Sequence, residues 1–254
     1  MVFDSRKGRN IVKDSKGEEE EFDEIIFACD AVTAEQITAS NTDYSSRFVR
    51  WVLHRVSYYR DITITHSDSD YMARHYQTDR EERNNEEAMK EGREDETEER
   101  KDSGIHYMVR TDPMDAKLIE MSFNLHLYQP QFRDEKTGKV NIKDPIYQTI
   151  FLDSNTADRW TISEIDETKI HQRTWWLQFA HTWKHFAFFV PFERFIQGLH
   201  GWWFAGSWTL FNTHEIATVS GLAAAHRLGA PYPFSHDPLA CKQFSMYLNV
   251  VHGC

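Results

Sequence analysis

Cysteine is scarce: Cys29, Cys241 and Cys254 are the only three in 254 residues. An odd number at wide spacing gives no disulfide framework and fits a reducing compartment, so the expected location is intracellular and cytoplasmic. Long apolar runs are missing too. His, Lys, Glu or Arg interrupts each within a few residues, and none reaches the ~20 apolar residues of a bilayer span. Met1 to Asn10 carries Asp4, Arg6, Lys7 and Arg9 with no apolar block behind them, so no secretory signal is read. Positive charge is in deficit, with 29 Lys and Arg against 40 Asp and Glu and a net charge of −11. Like charges repel within a Debye length, which argues against nucleic acid and anionic membranes as default partners. Gly-x-Ser-x-Gly, a Walker loop and Gly-x-Gly-x-x-Gly are all absent. A hydrolase elbow, a triphosphate cradle and a complete dinucleotide fingerprint are thereby excluded.

What is present divides by composition. Asp79 to Asp102 holds 12 acidic and 6 basic side chains, with Ala88 and Met89 its only apolar residues. Such a segment cannot feed a core and reads as a charged insertion, either a solvated helix or a disordered loop. Around it the pattern favours strands: Ile11 and Val12 between turn-prone ends, then the apolar run after Phe22 that contains Ile25. Ile62 to His66 alternates with β-branched residues, and Ile105 to Arg110, Leu118 to Tyr128 and Ile146 to Leu152 follow. A short helix is expected over Thr33 to Thr38. The middle of the chain is therefore expected to be one antiparallel or mixed sheet with one face covered.

The last third changes character. Trp175 to Phe211 packs 14 of the 35 aromatic residues into 37 positions, which marks a deep core or the wall of a pocket. Trp202-Trp-Phe-Ala-Gly206 reads as a buried strand ending at a glycine. Asn212-Thr-His-Glu215 has the form of a helix capping box, with the helix running to about Leu228, Gly229 at its left-handed end and Pro231 beyond. On that helix Ala217, Gly221, Ala224 and Leu228 share a face of mostly small residues that permits close approach of a sheet or a cofactor. The N–H groups of its first turn, from Thr213 through Ala217, point at whatever lies in front and favour an anionic or electron-rich group. His181 and His185, four apart, would share a helix face as the start of a zinc site, but no third ligand accompanies them. His236, Cys241, His252 and Cys254 lack the close cysteine pairs of structural zinc. Cys29 ends an apolar strand as a small buried residue rather than a nucleophile.

Trp203-Phe-Ala-Gly-Ser-Trp-Thr209 followed by His214-Glu-Ile-Ala-Thr-Val-Ser-Gly-Leu-Ala-Ala-Ala-His226 resembles the C-terminal flavin-contacting motif of the flavin-containing amine oxidase superfamily. Phe22-Asp-Glu-Ile-Ile-Phe-Ala-Cys-Asp-Ala31 resembles the strand that returns that family's chain to its FAD domain. The nearer similarity is to the NAD(P)/FAD-binding oxidoreductase branch, in which a Gly-x-Trp-Thr segment and a His-Glu pair recur. The resemblance covers most of residues 1 to 30 and 105 to 230. It implies an α/β chain with an α+β substrate part: a mixed-sheet substrate domain plus the C-terminal strand and helix of a Rossmann-like FAD-binding domain. Residues 1–31 would be the returning strands, 32–200 the substrate domain with insertion 79–102, 201–230 the FAD-contact strand and helix, and 231–254 a tail.

FAD is the implied cofactor, with Gly206, Ser207, Trp208, Thr209, His214, Glu215, Ile216 and Ala217 around it. Gly206, Ser207 and Thr209 would lie near its ribityl chain or phosphates, and the backbone N–H groups of Ile216 and Ala217 at the pyrimidine edge. Trp202, Trp203 and Trp208 are candidate pocket walls, and no catalytic base is named. Two positions depart from the pattern: Trp208, where many amine oxidases have an acid, and Ile216, where they have glycine. The missing fingerprint implies the C-terminal part of a flavoenzyme that passes hydride from a small organic substrate to flavin. Its partner would be an N-terminal FAD-binding segment. The rival expectation is a non-catalytic remnant or small-molecule-binding module that holds no flavin.

Overall fold

A computed structural model describes residues 2–4, 8–76, 106–116, 118–134, 137 and 145–254. The charged insertion at 79–102 lies outside them. The chain opens with β1 (Val2–Asp4), β2 (Arg9–Lys13) and β3 (Glu19–Phe22), joined antiparallel in that order. The β2–β3 turn is made by Asp14, whose carboxylate accepts the N–H groups of Lys16 and Glu18, and by Gly17 at φ 88°. This turn chemistry makes a strand of Glu19 to Phe22, which shows no apolar alternation in the sequence. All four residues are exposed, so the three glutamate carboxylates stay in water while the backbone pairs.

β4 (Ile25–Phe27) leads into α1 (Ala31–Thr38), capped by the Asp30 carboxylate on Thr33 N–H at 2.8 Å. α2 (Tyr44–Leu53) is capped in the same way by Asp43 on Ser46 N–H, and buries Val49, Val52 and Leu53 at spacings of three and four. Then come β5 (Tyr58–His66), α3 (Ser69–Tyr76), β6 (Tyr107–Thr111), β7 (Ile119–Asn124), a helical turn α4 (Leu125–Tyr128) and β8 (Tyr147–Phe151). β9 (Ile170–Phe179), α5 (Trp183–Phe188), α6 (Val190–Glu193), β10 (Trp202–Phe204), α7 (His214–Arg227) and α8 (Pro238–Tyr247) complete the chain.

Contacts divide it into two compact units, one of Met1–Tyr58 with Phe179–Cys254 and one of Tyr59–Gln178. The domain limits expected at 31 and 200 both lie inside the first unit. The physical reason is burial: Val49, Val52 and Leu53 of α2, with Phe189 and Ile196, share one core with Phe27, Trp202 and Phe204. The second unit holds a five-stranded sheet in the order β6-β7-β8-β5-β9. Pairs β6–β7, β7–β8 and β8–β5 are antiparallel, with Ile64 opposite Thr149 and Ser122 opposite the same threonine. Tyr71, Met72 and Tyr76 of α3 pack with Ile62, Ile64 and Phe151. Helices and strands are thus both present, as expected of an α/β chain. Parallel pairing occurs, among the described residues, between β4 and β10.

Candidate functional site

β10 places three large rings, Trp202, Trp203 and Phe204, all buried, as in a strand enclosed on both faces. It runs parallel to β4 with Trp202 opposite Ile25, Trp203 opposite Ile26 and Phe204 opposite Phe27, and Ala205 N–H extends the pairing to Phe27 C=O at 3.0 Å. The indole N–H of Trp202 donates to Asn10 Oδ1 and that of Trp203 to Glu24 Oε2 at 2.7 Å. The other edge of β10 is held by a side chain. Gln197 Oε1 accepts Phe204 N–H at 2.9 Å, Gln197 Nε2 donates to Phe204 C=O at 3.0 Å, and Gly198 N–H donates to Trp202 C=O at 2.7 Å.

The chain then turns at Gly206, whose φ of 155° and ψ of 165° belong to a region essentially reserved for glycine. A Cβ there would meet Trp208 Nε1 at 2.6 Å. The glycine is therefore required by Trp208, whose ring folds back over it and donates to Cys29 C=O at 2.9 Å. The close approach expected for a cofactor at this point is taken by the chain itself. Gly206 N–H goes to Ser220 Oγ, and Thr209 Oγ1 donates to Gly206 C=O while accepting from Tyr247 OH, each at 2.8 Å. Trp208 and Thr209 are buried, and Ser207 is half-buried with its hydroxyl toward Asn212 Oδ1.

α7 begins one residue later than the expected capping box. Thr213 is the N-cap: its Oγ1 accepts Ile216 N–H at 3.2 Å and its C=O accepts Ala217 N–H at 3.1 Å. Ile216 therefore stands at the third helical position in place of Glu215, and the reciprocal glutamate contact of a capping box is not made. The same bonds engage the two N–H groups expected at a flavin's pyrimidine edge. His214 and Glu215, both exposed, supply the first-turn N–H groups left to a ligand. The buried side of α7 is Ser220, Ala223 and Ala224, while Ala217 is exposed and a Cβ on Gly221 would meet nothing within 4 Å. The expected small-residue face is thus split: Ala224 packs inward, and Ala217, Gly221 and Leu228 lie along an uncovered edge. The helix ends as expected, with Gly229 at φ 99° and Ala230 N–H returning to Ala225 C=O.

The histidine pair separates. His181 precedes α5 and its Nε2 accepts Asn212 N–H at 3.2 Å, which fixes the approach to α7, with Phe186 and Phe211 against its ring. His185 is buried against Phe179 and Phe189 with neither ring nitrogen bonded, and burial drives its pKa down to about 4. Nearby in sequence, Glu193 is fully buried. Its Oε1 accepts from Gln197 Nε2 at 3.2 Å, its Oε2 has no partner, and burial holds the carboxyl protonated well above the usual range. Sequence reasoning missed Gln197, Glu193 and His181 as supports of the turn. A glutamate and glutamine four apart beside aromatic residues was the available signal. Among the described residues no group of three His, Cys, Asp or Glu side chains could hold a metal, and no helix is long and apolar enough to cross a membrane.

In the second unit a cleft is lined by Arg110, Asp112, Glu120, Arg159 and Trp160. Arg110 pairs with Glu120 at 2.9 Å and Arg159 with Asp112 at 2.5 Å, so each cation there already has its anion. Compared with known proteins, the chain matches no family model and no curated protein.

Proposed function

We propose that the chain is the substrate-domain and C-terminal FAD-contact part of an amine-oxidase-like, FAD-dependent oxidoreductase that passes hydride from an organic substrate to flavin. One observation carries this reading. Ile25–Phe27 and Trp202–Phe204, the two segments that resemble the family's FAD-domain strands, lie side by side and parallel although far apart in sequence. Parallel strands belong to sheets covered on both faces, and ligands of open α/β sheets sit beyond the carboxyl ends of the strands. At that end of β10 stand the Gly206 turn and the start of α7.

The residues fit one half of the cofactor. The uncovered edge of Ala217 and Gly221 leaves room for a flat ring, and the N–H groups of His214 and Glu215 at the positive end of α7 suit its electron-rich side. Flavin, when bound, would accept the hydride, and the N–H groups here would hold the negative charge that follows. No Gly-rich turn in the chain suits the pyrophosphate half, which would come from a separate FAD-binding segment. The aromatic density fits an amine, a polyunsaturated lipid or a porphyrin-like ring. The reading of a module that holds no flavin has one observation in its favour: Gly206, Trp208 and Thr209 satisfy their polar groups within the chain.

The test is the visible spectrum of the purified chain after incubation with excess FAD and desalting, repeated with an FAD-binding segment co-expressed. Flavin absorbance retained in either sample supports the proposal. Its absence from both replaces the proposal with the flavin-free module.

A further inference from the structure

The chain is acidic, yet two stretches of its first unit are not. From Tyr44 to Tyr58 there is no carboxylate, and from Ala180 to His214 the sole one is Glu193, which is buried and held protonated. The same stretches carry Arg47, Arg50, Arg55, Lys184 and Arg194. Arg50 donates to the C=O groups of Thr38 and Asn41. Among the described residues no carboxylate pairs with the other four cations. The two stretches meet through aromatic rings. Phe48 stacks on Trp51 with centroids 5.7 Å apart, Trp51 meets Phe192 edge-on at 5.5 Å, and Arg55 lies over the Trp51 ring. Phe188, Phe192 and Phe195, spaced by four and three along α5, α6 and the turn after them, continue the row, and Trp183 packs on Phe188 at 5.8 Å. The row stands out into solvent: Trp183 is 69% exposed, Phe195 60%, Phe188 49% and Trp51 44%. Large rings exposed together mark a surface that binds a partner.

We propose that this face docks the protein on an anionic lipid surface, with the rings at headgroup depth and Arg47, Arg55, Lys184 and Arg194 against the lipid phosphates. The inference does not rest on the flavin reading. Shape, composition and charge select the occupant. The rings project from helices and do not line a recess, whereas the hot spots of a protein partner fill pockets. Trp and Phe beside Lys and Arg suit the boundary between headgroups and acyl chains, where the rings bury apolar area and the cations meet phosphate. The nearest acids are engaged: Asp43 accepts Ser46 N–H and faces His200, and Glu35 faces His54. With a net charge of −11 over the whole chain, the remaining surface repels an anionic membrane, so approach is favoured with this face forward.

The experiment is co-sedimentation of the full chain with vesicles of phosphatidylcholine, alone or mixed with phosphatidylserine at about one part in three. Binding to the mixed vesicles should exceed binding to the neutral ones by at least about tenfold and weaken with added salt. Lys184→Gln with Arg194→Gln should weaken it about 25-fold, near fivefold for each cation. Trp183→Ala with Phe195→Ala should release the chain from the vesicles. All four side chains are exposed, so both double variants should melt with the unmodified chain. Should either melt lower, amide exchange of the unmodified chain decides: on adding mixed vesicles, slowing within 44–55 and 183–195 supports the proposal, and slowing elsewhere or nowhere overturns it. No binding to mixed vesicles, equal binding to neutral ones, or binding that survives both double variants also overturns it. Two other occupants would do the same. A dimer in sedimentation velocity that Trp183→Ala with Phe195→Ala disperses gives the face to a second copy, and polyglutamate that displaces the chain from the mixed vesicles gives it to an acidic protein.

Discussion

Two buried glutamates, one in each unit, are held in different ways. Glu120, on β7, accepts Arg110 Nη1 at 2.9 Å, Thr161 N–H at 2.9 Å and Thr161 Oγ1 at 2.8 Å. Around it Tyr71 OH bonds Thr161 Oγ1, and His66 Nε2 bonds Thr149 Oγ1, which also meets Ser122. Glu193, on α6, has Gln197 alone. The second unit binds a charge by surrounding it with donors, whereas the first buries a neutral acid and two histidines, His185 and His252, whose ring nitrogens meet no partner. Fully partnered networks fix a unique core, while a partly satisfied one leaves free energy unrealised at each orphan. Orphans occur in both units, Asp61 Oδ2 in the second as well as Glu193 Oε2 in the first, so the contrast holds between the two glutamates: substitution can raise stability at Glu193 and only lower it at Glu120.

The largest test of this contrast is Trp202→Ala. Removing a fully buried indole costs about 3–5 kcal/mol and should abolish exchange protection across β4, β10 and α7 while the β5–β8 amides keep theirs. Loss of protection in both units together would break the division. Next is Arg110→Met, which leaves Glu120 buried without its cation and should cost about 3–5 kcal/mol in the second unit, read by denaturant unfolding.

Glu193→Gln should act in the opposite sense. Because the folded-state pKa of Glu193 is raised, its contribution is fully present below the unfolded value of 4.5 and declines as pH rises above it. The amide keeps the shape without the titration. At pH 8 the variant should therefore melt higher, by roughly 2–4 °C for each kcal/mol recovered, and at pH 4 the two proteins should coincide. An equal offset at both pH values would remove the neutral acid from the account. Histidines add the acid side. Burial lowers His66, His185 and His252 to about 4, so their contribution is present above 6.5 and lost as pH falls from there toward 4. The smallest effect is expected of Gly221→Ala. With open space at its Cβ it should stabilise α7 by about 0.5–1 kcal/mol, seen in the melting temperature. If a flavin lies on that edge, the same variant should retain less of it, which sharpens the contrast between the open and packed sides of α7.

Elements written by local chemistry were legible in the sequence. Ile25 to Phe27, Trp202 to Phe204, Ile62 to His66 and the helix closing at Gly229 were all readable from apolar runs, alternation or a left-handed cap. Elements fixed by distant packing were not. The expected strand over Leu118 to Tyr128 stops at Asn124 and ends in a helical turn, with Leu125 N–H taken by Ile146 C=O. α2, α3, β9 and α8 were missed: for α2 the Asp43 cap and the spacing of Phe48, Val49, Val52 and Leu53 were an available signal, whereas β9 carries exposed Trp175, Trp176 and Leu177 in place of an alternating pattern. At the site, the turn and helix were readable but the direction of their groups was not. Trp208 folding over Gly206, and Thr213 rather than Asn212 capping α7, follow from three-dimensional contacts that spacing does not encode.

The central claim is that this chain holds the ring-contact half of a flavin site and not the pyrophosphate half. The most direct measurement is the change in backbone amide shifts of the full chain on titration with FMN and, separately, with ADP. The account predicts shifts centred on His214, Glu215, Ala217 and Gly221 with FMN and none there with ADP. No response to FMN at those amides, or an equal response to both compounds, would contradict it.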